Sequence, residues 1–426
     1  MSNAKSFAKR SGMLMRSRSP TASRMRTSGS SPNTCEARRM RVVIAPDSFK
    51  GSIDAARAAS AIAAGWRVER PFDELILLPQ ADGGEGTLDA IFAAVPGSQL
   101  VDVGPVPGPD GRPTPGSWLL LPDSSGVVEL ARVSGLPLME KLSPLTAHTR
   151  GLSAVIAAAL DAGVTALTIC LGGSVSTDGG AGALSELGAR LLDVEKHPIS
   201  DGGGGLCDLK RVDFRSLQPV PGGGIRLLVD VDAPLLGARG SAATFGPQKG
   251  ATDNDVAVLD LGLSILAGLI GTGFADLTGS GAAGGAAFGF MAAWSASSMP
   301  GAAAIAALTG LDRAIEVAGV VITGEGRFDE TSSQGKVAGY ALSQRRENSR
   351  AFVIAGEIEG GTAVMPTGVV GVSLRELAGS PEAAMADPPR WLYQAGREAA
   401  ILVAVGSRAD VRGPVPMASP DWARHR

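Results

Sequence analysis

From Arg41 onward the sequence predicts an α/β protein with largely parallel sheets. Two observations carry this. Short apolar runs alternate with longer helical patterns along the whole chain. Several of those runs also open into loops of glycine, carboxylates and small hydroxyl residues, the place where open α/β sheets present their ligands.

The elements follow in order. The first apolar run, 41–45, ends at Pro46, and a helical stretch over 53–67 follows with Ala55, Ala56, Ala58, Ala59 and Ile62. A strand at 74–78 precedes a helix at 86–94. Strands at 117–121 and 126–130 lead to a helix at 149–162, then a strand at 166–171 and a helix at 180–192. A strand at 225–231 is followed by helices at 254–269 and 283–296. Strands at 319–323, 351–355 and 368–373 alternate with helices at 335–346 and 393–406. The turn-rich segment 104–116 ("GPVPGPDGRPTPG") and the glycine-rich segment 200–224 break the alternation and mark an insertion zone.

Composition narrows the function. The chain has 426 residues, enough for two or three domains at roughly 150 residues each. The 39 basic and 42 acidic residues nearly cancel, and aromatics are 4%, so neither an extended nucleic-acid surface nor a base-stacking platform is expected. Only Cys35, Cys170 and Cys207 occur, with no CxxC pair, which fits a reduced, cytoplasmic setting rather than a disulfide framework. His148, His197 and His425 leave few candidates for histidine-bound zinc or a Ser–His–Asp triad. No apolar run is long enough to span a membrane. Residues 1–40 carry nine Lys and Arg against the single acid Glu36, a composition like that of a transit peptide. They are expected to be a disordered basic extension, with Met40 an alternative start, and 411–426 a disordered tail.

The loops that carry chemistry are "PDSFKGS" (46–52), "ADGGEGT" (81–87), "LGGSVSTDGGAG" (171–182), "LLVDVDAP" (227–234) and "VITGEGRFDE" (321–330). Singly, each is a tight turn or a capped helix start. Together they bring acids, glycines and a lysine to several strand ends, which points to one polyanion site with a metal. Phosphoryl transfer needs that set: cradled phosphates, carboxylate-held metal, a cation and a positioned hydroxyl. The chain lacks a Walker A motif, because "QGKVA" has Val337 after Lys336. "GSGAAG" (279–284) fits G-x-G-x-x-G but follows a poor strand.

These segments, with "FGPQKGA" (245–251), "GSGAAGG" (279–285) and "TGEGRFD…GK" (323–336), resemble in order the motifs of the bacterial-type glycerate kinases. The resemblance implies two unlike α/β domains. One is flavodoxin-like (Rossmann-like), built from 41–95 plus 291–410; the other is inserted over 96–290, with the active site in the cleft between them. It implies ATP and Mg2+ as cofactors, and D-glycerate as the small-molecule substrate, phosphorylated to 2-phosphoglycerate. It leaves the oligomeric state open and involves no nucleic acid and no membrane.

By the same resemblance, Asp47, Lys50 and Asp178 are the catalytic candidates, Asp178 being either acceptor base or helix cap. Ser48, Arg327, Glu325 and Asp230 would bind substrate, with Arg327 clamping its carboxylate. Gly172, Gly173, Ser174, Gly179, Gly180, Lys249 and Gly324 would bind the nucleotide. Asp82 and Glu85 would hold magnesium, and Asp329 would complete the lining. The chain departs from the family pattern at Thr177, which stands for an amide. It departs again at Asp232 and Ala233, which replace a hydroxyl and an amide. A kinase for a related hydroxy acid, or a ligand-binding homologue without turnover, are the alternatives.

Overall fold

The computed structural model of the chain describes residues 39–333 and 336–409. The expected extension up to residue 38 and the expected tail lie outside the described residues.

Thirteen strands are present among the described residues: β1 (Arg41–Pro46), β2 (Glu74–Leu77), β3 (Gln99–Pro107), β4 (Pro113–Leu120), β5 (Gly126–Glu129), β6 (Leu167–Cys170), β7 (Arg190–Leu192), β8 (Arg211–Asp213), β9 (Ile225–Leu228), β10 (Ser297–Met299), β11 (Val320–Phe328), β12 (Arg350–Ile358) and β13 (Val369–Ser373). They form a five-stranded sheet in the order β13-β12-β11-β1-β2, a six-stranded sheet β10-β9-β6-β5-β4-β3, and the small pair β7-β8. The five-stranded sheet is parallel throughout. The six-stranded sheet is parallel from β10 to β5 and antiparallel from β5 to β3.

Strand β1 sits between β11 and β2, and Val42 to Ala45 are fully buried. A strand covered on both faces reads as a continuous apolar run, which is what Val42–Ala45 provide. The helix Ala55–Glu69 starts at Asp54, whose carboxylate accepts the Arg57 N–H at 2.8 Å. Its buried face, Ala58, Ala59, Ile62 and Trp66, belongs to the core of the five-stranded sheet. Leu88, Ile91 and Ile305 share a cluster with Leu119, Val127 and Leu228 of the six-stranded sheet. The helices Thr87–Ala94 and Gly301–Thr309 are therefore apolar cover for that sheet.

The structure corrects the sequence reading in two places and adds to it in a third. The segment read as a turn-rich break is a β3–β4 hairpin, with an irregular register between Asp102 and Gly104. Pro105 and Pro107 lie on the edge strand β3, and Pro113 and Pro115 in the part of β4 that pairs with β3 alone. The expected helix 180–192 ends at Glu186 and is followed by β7. The Ala-rich stretch after Pro300 forms two helices, Gly301–Thr309 and Leu311–Glu316. No helix among the described residues is long and apolar enough to cross a membrane.

Candidate active site

In the five-stranded sheet the chain runs from β1 to β2 on one side, while β11, β12 and β13 extend on the other. The strand order therefore reverses between β1 and β11, and a ligand crevice is expected beyond their carboxyl ends. The Asp47 N–H donates to the Gly324 carbonyl at 2.8 Å and joins the two strand ends. Gly324 lies inside the sheet, where a Cβ would come within 2.0 Å of the Ile354 carbonyl oxygen. That position serves strand packing, and the next residue, Glu325, faces the crevice.

Two adjoining cavities open here. The first, of about 450 Å3, is lined by Asp47, Ser48, Glu325, Arg327 and Asp329 among others. The second, of about 410 Å3, is lined by Gly172, Gly173, Ser174, Asp230 and Lys249 and by the exposed Glu85. Lys50, Asp82 and Lys336 line both and form the junction between them.

The junction is an acidic cluster. Burial first, and then the charge of Asp82, push the Asp47 carboxyl up to about 8. The same two causes, in the same order, raise Asp230 to about 7 against a 2.8 Å hydrogen bond from the Gly301 N–H. Burial also raises Glu325 to about 7, with Asp329 and Asp82 adding to it. Lys50 opposes the rise at Asp47 and Asp230, and Lys336 opposes it at Asp230 and Glu325. The Glu325 Oε1 is buried with no hydrogen-bond partner. Crowded carboxylates with an orphaned oxygen fit a bound cation. Among the described residues no three His, Cys, Asp or Glu side chains form a metal cage. Magnesium needs none, since it is held by one or two carboxylates together with phosphate oxygens and water.

The second cavity is built by close approach of two loops. The Gly172 N–H donates to the Gly83 carbonyl at 2.9 Å, and a Cβ on Gly172 would lie 2.5 Å from the Gly84 Cα. On the opposite wall Ala283 holds a left-handed conformation, φ 53° and ψ 42°. Such a conformation costs a non-glycine residue about 1–2 kcal/mol and is a common mark of a ligand wall. Lys249 is 2% exposed, and its Nζ donates to the Ser174 Oγ at 3.0 Å and to the Ser176 carbonyl at 2.6 Å. Burial pulls it down to about 7, against the opposing charge of Asp178.

Not every expected residue reaches a cavity wall. Asp178, Gly179, Gly180 and Gly324 stand outside both linings. Asp178 is fully buried, and its Oδ2 accepts from the Thr149 N–H (2.9 Å), the Thr149 Oγ1 (2.8 Å) and the Gly182 N–H (3.2 Å). Its Oδ1 accepts the Gly180 N–H at 3.2 Å. These bonds clasp the starts of the helices Arg150–Asp161 and Ala181–Glu186, a capping role. Asp178→Asn is expected to lower stability by about 1–3 kcal/mol by turning an amide toward buried donors; urea unfolding at pH 7 measures it. Arg327 is exposed and donates to Glu359, with Nε at 3.0 Å. Asp329 lies below the usual carboxylate range, held by the Thr331 hydroxyl at 2.6 Å. The departures at 176–177 leave the Ser176 Oγ and Thr177 Oγ1 buried without partners.

Two residues were missed from sequence. Glu129, 1% exposed, accepts the Gly86 N–H at 3.0 Å and the Leu88 N–H at 2.9 Å. It supplies the cap that the side chain of Gly86 cannot, and so fixes the loop carrying Asp82 and Glu85. Its signal was an acid closing the apolar strand 126–130. Lys336, at the junction, closes the "TGEGRFD…GK" motif but was given no role from sequence.

A family model described as "Glycerate kinase family" matches residues 42–404. The chain is 39% identical to the glycerate kinase of Bacillus subtilis (strain 168), over 75% of this chain and 85% of that protein. It is 38% identical to the glycerate kinase of Halalkalibacterium halodurans, over 85% and 97%. It is also 38% identical to the glycerate 2-kinase of Escherichia coli (strain K12), over 75% and 86%. A crystal structure assigned as a glycerate kinase 2, from Salmonella typhimurium LT2, superposes with a TM-score of 0.74 at 34% identity, covering 87% of this chain and 100% of that one.

Proposed function

We propose, because this chain belongs to the glycerate kinase family, that it transfers the γ-phosphoryl group of ATP to D-glycerate and forms 2-phospho-D-glycerate. The observation that carries this is the junction: Lys50, Asp82 and Lys336 stand where two cavities meet, one for each substrate. We read the two sheets as two domains, a flavodoxin-like one from 41–95 plus 291–410 and one inserted over 96–290.

Asp82, with Glu325, would hold magnesium, which neutralises phosphate charge when bound. Lys50 and Lys336 place positive charge where the phosphoryl group passes, the largest contribution that such a site can make. Lys50 suits this as a compact charge that imposes no planar geometry. Asp47, with its raised affinity for protons, takes the proton from the attacking hydroxyl; a base is most effective when its pKa lies near the working pH. The buried Cys170 and the free Cys207 fit a reduced, cytoplasmic setting.

The test is product identification by 31P–1H correlation NMR after incubation with ATP, Mg2+ and D-glycerate or related hydroxy acids. Phosphorus coupled to the C2 proton of glycerate supports the reading. Coupling to the C3 protons overturns the 2-phospho assignment. Turnover of a different acid alone moves the specificity to the departures at 176–177 and 232–233.

A further inference from the structure

The inner wall of the second cavity holds a buried ammonium group without an anion. Lys249 is among the largest fully buried side chains. Both acceptors of its Nζ, the Ser174 Oγ and the Ser176 carbonyl, are neutral. Among the described residues no carboxylate lies within ion-pair distance of Nζ. Asp178 acts on it through space, but both Asp178 oxygens are already taken by Thr149, Gly180 and Gly182. A buried charge without a partner is costly, and a protein keeps one where a ligand completes the pair.

We infer that Lys249, with Ser174 beside it, is the seat of the acceptor acid's carboxylate, a reading that rests on the kinase function proposed above. The distribution of acids decides between a carboxylate and a phosphate. Asp47, Asp82 and Glu325, the carboxylates suited to a metal, line the first cavity. The second shares only Asp82 of these; its Asp230 is engaged by the Gly301 N–H, and its Glu85, expected from sequence to hold magnesium, is exposed. Metal-bound phosphates therefore belong to the first cavity and the junction. A small anion that carries no metal belongs to the far wall of the second. The cavity continues from Lys249 to Lys50 and Asp82, so an acid anchored by its carboxylate has its hydroxyls on the side of the junction.

A pH signature follows. The other charged groups on this wall are Lys50, Asp82, Glu85, Asp230 and Lys336. With the site empty, burial holds Lys249 near 7, so it is about half charged at neutral pH. A carboxylate seated beside it favours the charged form and raises its pKa. The acid's own carboxyl, with a pKa of about 3.5, stays ionised throughout. Acid binding above pH 7 therefore takes up a proton. The KM for the acid is flat below that pH and rises about tenfold per unit above it.

The test uses the full chain and two measurements. In Lys249→Met the KM for D-glycerate is expected to rise roughly 10- to 100-fold, the loss of one charge-assisted hydrogen bond, with the KM for ATP within about threefold. Calorimetric titration of the wild type with D-glycerate at pH 8, in two buffers of different ionisation enthalpy, is expected to show uptake of close to one proton. The same titration of Lys249→Arg, whose guanidinium stays charged, is expected to lose that uptake; uptake that persists there comes from Asp47 and Asp230 and overturns the inference. A raised KM for ATP with an unchanged KM for D-glycerate, or binding without proton uptake, overturns the inference. If the wild type turns over D-glycerate and Lys249→Met keeps both KM values, the subsite alone is lost. A wild type that turns over no hydroxy acid removes the kinase reading, and the subsite with it.

Discussion

Lys50→Ala is expected to lower kcat at least ~100-fold, the usual scale for losing one electrostatic contact made in the transition state, while the fold is retained and the melting temperature falls only slightly, because Lys50 offsets the crowded Asp47 and Asp230. The two halves of this expectation have separate causes. The side chain of Lys50 is exposed and lies in the turn that β1 opens into, held by the Phe49 N–H bond to the Ile53 carbonyl at 2.9 Å. That bond is backbone to backbone and survives truncation of the side chain. Exposed substitutions away from caps and cores shift stability little. Yet Lys50 lines both cavities at their junction, where charge must move from one ligand to the other. Steady-state rates with saturating ATP and D-glycerate, alongside a thermal melt, separate the two. A near-normal rate would remove Lys50 from the chemistry.

Asp82→Asn is expected to do something a structural residue does not: cut turnover by a similar factor and raise stability. Asp82 helps to push up Asp47, Asp230 and Glu325. Those three titrate near 7 to 8 in the fold but near 4 when unfolded. Between these limits the native state holds more protons than the unfolded chain, so stability falls as pH rises. It is intact below about 4, is lost progressively through that window, and levels off above about 8. Removing one of the crowded charges shrinks that loss, and Asn keeps the oxygen that accepts the Gly84 N–H at 3.0 Å. Magnesium is expected to act the same way in the wild type, raising the melting temperature more at pH 8 than at pH 5. Thermal melts across pH 5 to 8, with EDTA or Mg2+, measure both. A flat profile, or an Asp82→Asn protein that is weaker but fully active, would contradict this electrostatic account.

What could be read from sequence follows from burial. The strand β1 was legible because Val42 to Ala45 are covered on both faces and form an unbroken apolar run. The edges of the six-stranded sheet were not. Strand β3 carries prolines that signal turns, and β10 is a three-residue exposed strand, "SSM". The helix Gly301–Thr309 is built from Ala, Gly, Ile, Leu and Thr without the polar face that marks a surface helix. In the site, Asp47, Ser48 and Lys50 stood out because they follow the end of β1 directly, and Asp82 and Glu325 because they sit among glycines. Asp178 did not resolve, because a capping aspartate and a catalytic one look alike until the donors around them are seen. Glu129 was hidden for a related reason: the amides it binds belong to a loop more than forty residues earlier in the chain.

The most direct test of the central claim is ADP release by the wild type with ATP and Mg2+, with and without D-glycerate, in a coupled assay run beside Asp82→Asn. The account predicts ADP release that requires D-glycerate and is at least ~100-fold slower in the variant. Binding of nucleotide and acid with no ADP release from the wild type would contradict it, and would leave a ligand-binding protein in a kinase fold.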